Sequence, residues 1–189
     1  MNIVQVGCHK GKDHVQEFIE INYNSITRVL LIDANEECIK VCQNSYNHLP
    51  KIEFFNFAVV PGDEEFVEFY IPTSSLNIEQ GSTLKSFVEA AKIEYKTVKT
   101  PAKNLNTFLK EQNLFQIERL YIDAEALDID IVNSIDFNTF NIPYLYFEKL
   151  HSDGRQNSDG PRYQNCIQQL QAFGYNKIEE RGWDILATK

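Results

Sequence analysis

VGCHKG, residues 6–11, begins at the last residue of a short apolar stretch, residues 3–6, and precedes an amphipathic stretch, residues 15–21. A buried strand that ends in a glycine turn and continues as a helix is how parallel α/β sheets hold nucleotide-like ligands. Gly7 lets the backbone turn sharply, and Gly11 lets the following helix begin close to a ligand. The stretch therefore predicts a ligand site at the start of an α/β fold.

The same alternation of short apolar runs and amphipathic stretches continues along the chain. The run and stretch pairs are 29–32 with 38–42, 120–122 with 129–135, and 144–147 with 166–173, and residues 52–60 form a further apolar run. Strands that each precede a helix predict a mostly parallel sheet with helices on both faces. Residues 173–180 and 183–187 alternate around a turn at Arg181-Gly182, which predicts a closing antiparallel hairpin. Such a hairpin is typical of the methyltransferase variant of the doubly wound fold.

Composition excludes several classes of protein. At 189 residues with 43% apolar content, the chain suits one globular domain, and we predict a single domain over residues 1–189. Acidic residues outnumber basic ones 27 to 18, so we expect no nucleic-acid partner. No run approaches a membrane span and no leader is visible, which predicts a cytoplasmic protein without a membrane partner.

The second predicted strand ends in Asp33, whose carboxylate is placed to accept both hydroxyls of a ribose. Together with the glycine turn, Asp33 predicts an adenosine-type ligand, which is either NAD or S-adenosylmethionine. The dinucleotide pattern G-x-G-x-x-G needs a middle glycine where this chain has His9. A side chain there crowds a pyrophosphate, so the turn favours S-adenosylmethionine, which carries no phosphate.

Four blocks of sequence resemble the FkbM family of S-adenosylmethionine-dependent methyltransferases. They are Val6-Gly7-Cys8-His9-Lys10-Gly11, Leu31-Ile32-Asp33-Ala34-Asn35, Phe57-Ala58-Val59-Val60 leading to Val67-Glu68-Phe69-Tyr70-Ile71-Pro72, and Leu120-Tyr121-Ile122-Asp123-Ala124-Glu125-Ala126. The resemblance implies a Rossmann-like class I methyltransferase fold with a seven-stranded sheet. It also implies that S-adenosylmethionine binds with its methionine part at Gly7, Cys8, His9 and Gly11, its ribose at Asp33 and its adenine at the backbone around Ala58.

The chain departs from the family pattern at four positions. Gln5 stands where an acidic residue often precedes the first glycine, and Ala34 replaces the proline after the second strand. Tyr121 replaces a lysine and Ala126 replaces a glycine in the fourth-strand block, while Asp128 supplies its trailing acid. These departures keep open a second interpretation, a nucleoside-binding domain without turnover.

Polar side chains follow two later strands and are the candidate catalytic residues. Asp123 and Glu125 end the strand at 120–122, and Glu148 and His151 follow the strand at 144–147. Methyl transfer to a hydroxyl requires positioning and a base for the hydroxyl proton, and Glu125 or His151 is suited to that role. Asp123, Glu125 and Glu148 are alternatively candidate ligands for Mg²⁺.

The acceptor is expected to be a small molecule held by residues 61–103 and 151–162. Both segments contain polar stretches suited to a hydroxyl-rich ligand. We therefore predict an O-methyltransferase acting on a sugar or another small polar acceptor. The alternatives are a nicotinamide-dependent oxidoreductase and the catalytically silent domain.

Overall fold

Strands and helices alternate along most of the chain. The computed structural model describes residues 1–74 and 78–189. The strands of this part are β1 (Asn2–Val6), β2 (Arg28–Asp33), β3 (Ile52–Asn56), β4 (Ala58–Val60), β5 (Phe66–Pro72), β6 (Tyr95–Asn104), β7 (Arg119–Ile122), β8 (Tyr144–Glu148), β9 (Lys177–Arg181) and β10 (Asp184–Thr188). The α-helices are α1 (His14–Asn22), α2 (Glu36–Ser45), α3 (Lys85–Ala90), α4 (Leu105–Glu111), α5 (Asp128–Ser134) and α6 (Pro161–Ala172).

The main sheet has seven strands in the order β3-β2-β1-β7-β8-β10-β9. Strand β1 pairs in parallel with β2 and β7, and β3 and β8 extend this parallel sheet on either side. Strand β10 runs antiparallel to both β8 and β9. The predicted seven-stranded sheet and its closing hairpin are therefore confirmed, with β1 at the centre where the strand order reverses.

Alternate residues of the buried strands face two separate cores. Val4 and Val6 pack into a core with residues of α4, α5 and α6, whereas Ile3 packs into a core with residues of α1 and α2. Because successive strand side chains point to opposite faces, helices must cover both sides of a sheet with so many apolar strand residues. The predicted helices on both faces are confirmed.

The apolar run at residues 52–60 forms two strands instead of one. Strand β3, at the edge of the main sheet, ends at Asn56. The Asn56 side-chain amide donates hydrogen bonds to the carbonyl oxygens of Asp33 (2.9 Å) and Ala34 (3.2 Å). After Phe57 the chain enters a second sheet, in which β4 pairs in parallel with β6 and β6 pairs antiparallel with β5. This small sheet lies next to the carboxyl ends of β1 and β2, because β4 directly follows β3.

Helix boundaries follow local capping chemistry. The side chain of Asp13 accepts the N–H groups of Val15 and Gln16 and so begins α1. Helix α6 begins at Pro161, several residues before the apolar stretch that predicted it, because proline suits the first turn of a helix. Among the described residues, no helix combines the length and the apolar character needed to cross a membrane.

Candidate functional site

The glycine turn, residues 7–11, begins where β1 passes against the end of β7. Gly7 has a φ of 73°, and its N–H donates to the carbonyl oxygen of Ile32 at 2.9 Å. A Cβ on Gly7 would lie 1.7 Å from the carbonyl oxygen of Asp123. Glycine is therefore required here both by the left-handed backbone and by the neighbouring strand.

Asp33 connects the end of β2 to the glycine turn. Its two carboxylate oxygens accept the backbone N–H groups of His9 and Asn35, each at 2.8 Å. Burial raises the pKa of Asp33, while the nearby His9 and these two N–H groups act in the opposite direction. Each carboxylate oxygen can accept a second hydrogen bond, so Asp33 can hold the turn and still bind a ligand hydroxyl.

A cavity opens between the glycine turn, the end of β2 and the small sheet, and we call it the first cavity. It encloses about 470 Å³ of space, open solvent included. Its apolar walls are formed by Ala34, Phe57, Ala58, Val59, Phe69, Ile78 and Leu127. The first cavity thus joins an apolar slot to the buried carboxylate of Asp33.

The open end of the first cavity is acidic. Asp123, Glu125 and Glu79 line it, and the imidazole Nε2 of His9 lies 3.9 Å from Asp123 Oδ2. Burial opposes the charged form of His9, but the carboxylates of Asp123 and Asp33 outweigh it and raise its pKa. The cavity therefore offers several carboxyl groups and one imidazole to a ligand.

Crowding of carboxyl groups at the ends of β7 and β8 raises their pKa values. Burial, followed by the neighbouring Asp123 and Glu148 carboxylates, raises the pKa of Glu125 to about 9. Burial, followed by Asp123 and Asp184, raises the pKa of Glu148 to about 7. Asp123 is thus close enough to Glu148 to raise its pKa, although Glu148 does not line the first cavity.

The acids do not assemble into the predicted Mg²⁺ set. In the described part of the chain, one group could hold an ion: His9, Asp123 and Glu125 place their ligand atoms within 4.8 Å of one another. Glu148 is not in this group. An imidazole ligand suits zinc or other transition metals, whereas Mg²⁺ prefers oxygen ligands. The interpretation of Asp123, Glu125 and Glu148 as a magnesium site is corrected accordingly.

The structure brings four of the six predicted cofactor residues to the first cavity. Gly7, His9, Asp33 and Ala58 line it. Cys8 and Gly11 do not, which corrects their assignment. The Cys8 side chain is buried in the core beside α1 and α2, where a hydrogen bond with Cys42, burial and Asp33 raise the pKa of its thiol.

Gly11 faces α2 and not the ligand side of the turn. A Cβ there would lie 2.6 Å from Cys42 Sγ and 2.7 Å from the ring of Tyr46. The glycine is therefore needed for packing of the turn against α2. The predicted role of Gly11, to bring the next helix close to a ligand, is also not realised, because α1 begins only at His14.

His151 is also placed away from the site, and its assignment as a catalytic base is corrected. Its Nδ1 accepts the N–H of Gln156 at 3.0 Å, and its ring packs against Phe87 of α3 at 4.8 Å between centroids. Arg155 in the same loop donates to the carbonyl oxygen of Phe87 at 3.1 Å. The loop is thus docked on α3, and His151 does not line the first cavity.

Glu79 is a site residue that the sequence did not single out. It lies in the segment after β5, lines the first cavity, and forms an ion pair with Lys10 of the glycine turn at 3.1 Å. Asn35 reaches the same segment, because its side-chain amide donates to the carbonyl oxygen of Ile78 at 3.0 Å. No local pattern marks Glu79, since its position depends on a contact between segments far apart in the sequence.

The amino end of α1 is already occupied by a side chain. Asp13 Oδ1 accepts the N–H groups of both Val15 and Gln16 at 2.9 Å. A dinucleotide pyrophosphate binds to free N–H groups at this end of the helix. The capped helix and the acidic cavity both disfavour a phosphate-bearing ligand.

Comparison with known families agrees with this geometry. The model of the methyltransferase FkbM domain matches residues 5–177. The chain belongs to the FkbM methyltransferase family. No curated protein sequence matches it significantly.

Solved structures share the fold of this FkbM chain. A methyltransferase FkbM from Methylobacillus flagellatus KT is 11% identical, with a TM-score of 0.56, and the match covers 100% of this chain and 43% of that one. The CMeT domain of the citrinin polyketide synthase is 10% identical, with a TM-score of 0.51, and the match covers 100% of this chain and 46% of that one. The chain thus spans less than half the length of either protein, and the likeness establishes a class I methyltransferase fold.

The structure explains how the chain accommodates Ala126, which departs from the FkbM pattern. Ala126 has a φ of 84°, a conformation that glycine adopts freely, and Glu125 before it has a φ of 48°. Asp128 Oδ1 accepts the N–H of Ala124 at 2.9 Å, and Ser82 Oγ donates to the carbonyl oxygen of Glu125 at 2.8 Å. These bonds hold the turn although this chain has alanine where the family usually has glycine.

Proposed function

We propose that the chain is an S-adenosylmethionine-dependent methyltransferase domain that methylates a hydroxyl oxygen of a small polar acceptor, with a sugar as the favoured class. The observation that carries this proposal is the first cavity, which places the Asp33 carboxylate beside an apolar slot at the switch point of the sheet. Membership of the FkbM family supports it.

The residues of the first cavity fit the cofactor part by part. Asp33 has acceptor capacity for the ribose hydroxyls, and the slot around Ala58 suits an adenine ring. Asp123 and Glu79 supply negative charge for the sulfonium and ammonium groups. When bound, the cofactor supplies an electrophilic methyl group for transfer to the acceptor oxygen.

Among the carboxylates at the end of β7, Asp123 is the best proton acceptor. Its side chain is 50% exposed, and it is held beside the His9 imidazole. Glu125, with a pKa of about 9, is protonated at neutral pH and is better suited to donating a hydrogen bond.

The nicotinamide-dependent alternative conflicts with two contacts. Asp13 occupies the N–H groups of α1 that a pyrophosphate would use, and the acids of the first cavity repel its negative charge. We therefore expect calorimetric binding of S-adenosylhomocysteine and no binding of NADH by the same preparation. The reverse result would overturn the proposal in favour of an oxidoreductase.

Asp33→Ala tests the cofactor site directly. We expect it to weaken S-adenosylhomocysteine binding at least tenfold, about 1.4 kcal/mol, because the ribose loses its acceptor. Asp136→Ala is the matched control, because Asp136 closes a similar turn, accepting the N–H groups of Asn138 and Thr139, but does not line the first cavity. Unchanged affinity in Asp33→Ala would remove Asp33 from the site.

Turnover is measured separately, as S-adenosylhomocysteine release with a panel of hydroxyl acceptors, with added Mg²⁺ and with a chelator. Because His9, Asp123 and Glu125 do not form an oxygen-only site, we expect the rate to be independent of Mg²⁺. Cofactor binding without turnover on any acceptor would indicate the catalytically silent domain.

A further inference from the structure

A second cavity adjoins the first one. Most of the residues that line it have no role in the cofactor site described above. The two cavities share Val6, His9, Glu79, Asp123 and Glu125 as lining residues. The second cavity encloses about 1080 Å³ of space, open solvent included. Its other walls come from the start of α1 and from β1, β7, β8 and β10. A ligand there would meet the cofactor at the carboxylate of Asp123.

One wall of the second cavity is aromatic. Tyr121 of β7 and Tyr146 of β8 are register partners on neighbouring parallel strands, with ring centroids 6.0 Å apart. The His14 ring at the start of α1 lies 4.9 Å from Tyr146 and 5.7 Å from Tyr121. Tyr121 is buried, and the more exposed rings of His14 and Tyr146 suit the C–H face of a sugar ring.

Hydrogen-bond acceptors stand beside the aromatic wall. Tyr146 donates its hydroxyl hydrogen to Asp184 Oδ2 at 2.8 Å, which leaves the other oxygen of Asp184 for a ligand. Gln5 lines the cavity, is 4% exposed, and donates through Nε2 to Asp13 Oδ2 at 2.8 Å. Because a carboxylate can only accept, the Gln5 nitrogen must face Asp13. Its Oε1 has no partner in the part of the chain that the structure describes.

A buried amide oxygen without a partner calls for a donor from outside the chain. Such atoms are rare in folded proteins because desolvation without a hydrogen bond is unfavourable. A ligand hydroxyl or amine would supply the missing donor. Gln5 Oε1 is therefore compatible with the kind of ligand that the aromatic wall suits, one that carries hydroxyl or amine donors.

The charge of the second cavity restricts the ligand further. Its acidic lining residues are Asp13, Glu79, Asp123, Glu125 and Asp184, whereas Lys12 is the only lysine or arginine in its lining among the described residues. Phosphate and carboxylate groups would be repelled, and hydroxyl or ammonium groups would be accommodated.

We propose that the second cavity is the acceptor subsite, and that it takes an uncharged or amino-bearing sugar ring in preference to a phosphorylated or carboxylated one. The inference rests on the proposed methyltransferase function. The sequence predicted an acceptor site at residues 61–103 and 151–162. The proposed subsite lies instead beside β7 and β8. Of the residues that the structure describes in those two segments, Glu79 and Gln80 alone are among the lining residues.

Ligand-observed saturation-transfer NMR tests the proposal on the protein saturated with S-adenosylhomocysteine. The probes are the methyl glycosides of glucose, galactose, mannose and rhamnose, with glucosamine, and the anionic comparators glucose 6-phosphate and glucuronate. We expect transfer to ring protons of at least one uncharged or amino sugar and weaker transfer to both anions. Transfer to none of the first group, or stronger transfer to an anion, overturns the proposal.

Tyr146→Ala tests the location of the subsite. We expect at least a fivefold loss of sugar saturation transfer, with S-adenosylhomocysteine affinity within twofold of wild type. Tyr144→Ala is the matched control, because Tyr144 lies two residues earlier on β8 and does not line the second cavity. Weaker cofactor binding with unchanged sugar transfer in Tyr146→Ala would show that the cavity holds the cofactor instead.

The cofactor titration separates the two proposals. If S-adenosylhomocysteine binds but no sugar does, the acceptor subsite is overturned and the methyltransferase function stands. If S-adenosylhomocysteine itself does not bind, the proposed function fails and the subsite fails with it.

Discussion

Three of the six non-glycine residues that have a positive φ in the described part of the chain lie at or beside the cavities. His9, Glu125 and Ala126 all have a positive φ although none is glycine, and all three line or adjoin the site. An L-residue in this conformation costs about 1–2 kcal/mol. Such strain persists only where surrounding contacts impose it, and here the hydrogen bonds of Asp33 and Asp128 do so.

Gly7→Ala is expected to destabilise the fold by about 3 kcal/mol or more, because left-handed strain is added to a clash with the Asp123 carbonyl oxygen. Gly182→Ala is the matched control, since Gly182 has a φ of 70° but nothing lies within 4 Å of a Cβ built there. We expect it to cost about 1–2 kcal/mol, from backbone strain alone. Equal losses of free energy of unfolding in denaturant titrations would contradict the clash with β7.

Ala126→Gly is expected to leave the free energy of unfolding within about 0.5 kcal/mol of wild type. The loss of a buried methyl group and the added chain entropy, together about 1.5 kcal/mol, are offset by relief of the strained φ. Ala102→Gly removes an equally buried methyl from β6 at an ordinary φ, without that relief. A similar loss in both variants, measured by denaturant unfolding, would show that Ala126 is unstrained.

At the scale of elements, the carboxyl ends of parallel strands determine where the acids meet. Strands β7 and β8 are neighbours, so Asp123 and Glu148 come within mutual influence although 25 residues separate them in the sequence. The sequence predicted this meeting because parallel strands end at one edge of a sheet. It did not predict that His9 would join it, since the course of the glycine turn depends on its contacts with Asp33.

The crowded strand ends make stability depend on pH. Glu148 has a folded-state pKa of about 7, above its usual value of 4.5, so the folded chain binds more protons between these values. Its stabilising contribution is complete below about pH 4.5 and is lost as the pH rises through about 7. We expect Glu148→Gln to be about 1 kcal/mol more stable than wild type near pH 8 and nearly equal near pH 4.5, after allowance for its partial exposure.

Glu53→Gln is the control for this experiment, because its expected effect on stability at high pH has the opposite sign. A hydrogen bond from Arg28 lowers the pKa of Glu53, so its contribution is present at neutral pH and is lost as the pH falls. We expect Glu53→Gln to be less stable than wild type near pH 8. Thermal unfolding at several pH values measures both variants, and parallel pH profiles for Glu148→Gln and wild type would contradict the raised pKa.

The pairing of strands in the small sheet could not be predicted from local sequence patterns. The parallel pairing of β4 with β6 joins residues more than 40 positions apart. This pairing brings Phe69, Ile78 and Glu79 over the end of β2. The walls of the first cavity are therefore a product of long-range contacts.

For the whole molecule, the net charge of −9 and the acids of both cavities all favour the binding of a cationic ligand. S-adenosylmethionine carries a net positive charge, whereas S-adenosylhomocysteine has none. Raising the salt concentration from about 0.05 M to about 0.5 M should weaken binding of the former roughly threefold or more and of the latter less than twofold, because salt screens charge attraction. Calorimetric titrations of both ligands measure this, and equal salt dependence would show that the acids do not contact the cofactor.

The sequence by itself determined the order of strands and helices, the closing hairpin, the glycine at position 7 and the carboxylate at position 33. These features depend on hydrophobic periodicity and on backbone conformation, which are properties of neighbouring residues. Only the tertiary structure decided that Cys8, Gly11 and His151 face away from the first cavity, and that Glu79, Tyr121 and Tyr146 line cavities. A side chain's surroundings are set by contacts between distant segments, and local sequence does not encode which distant segment will pack against it.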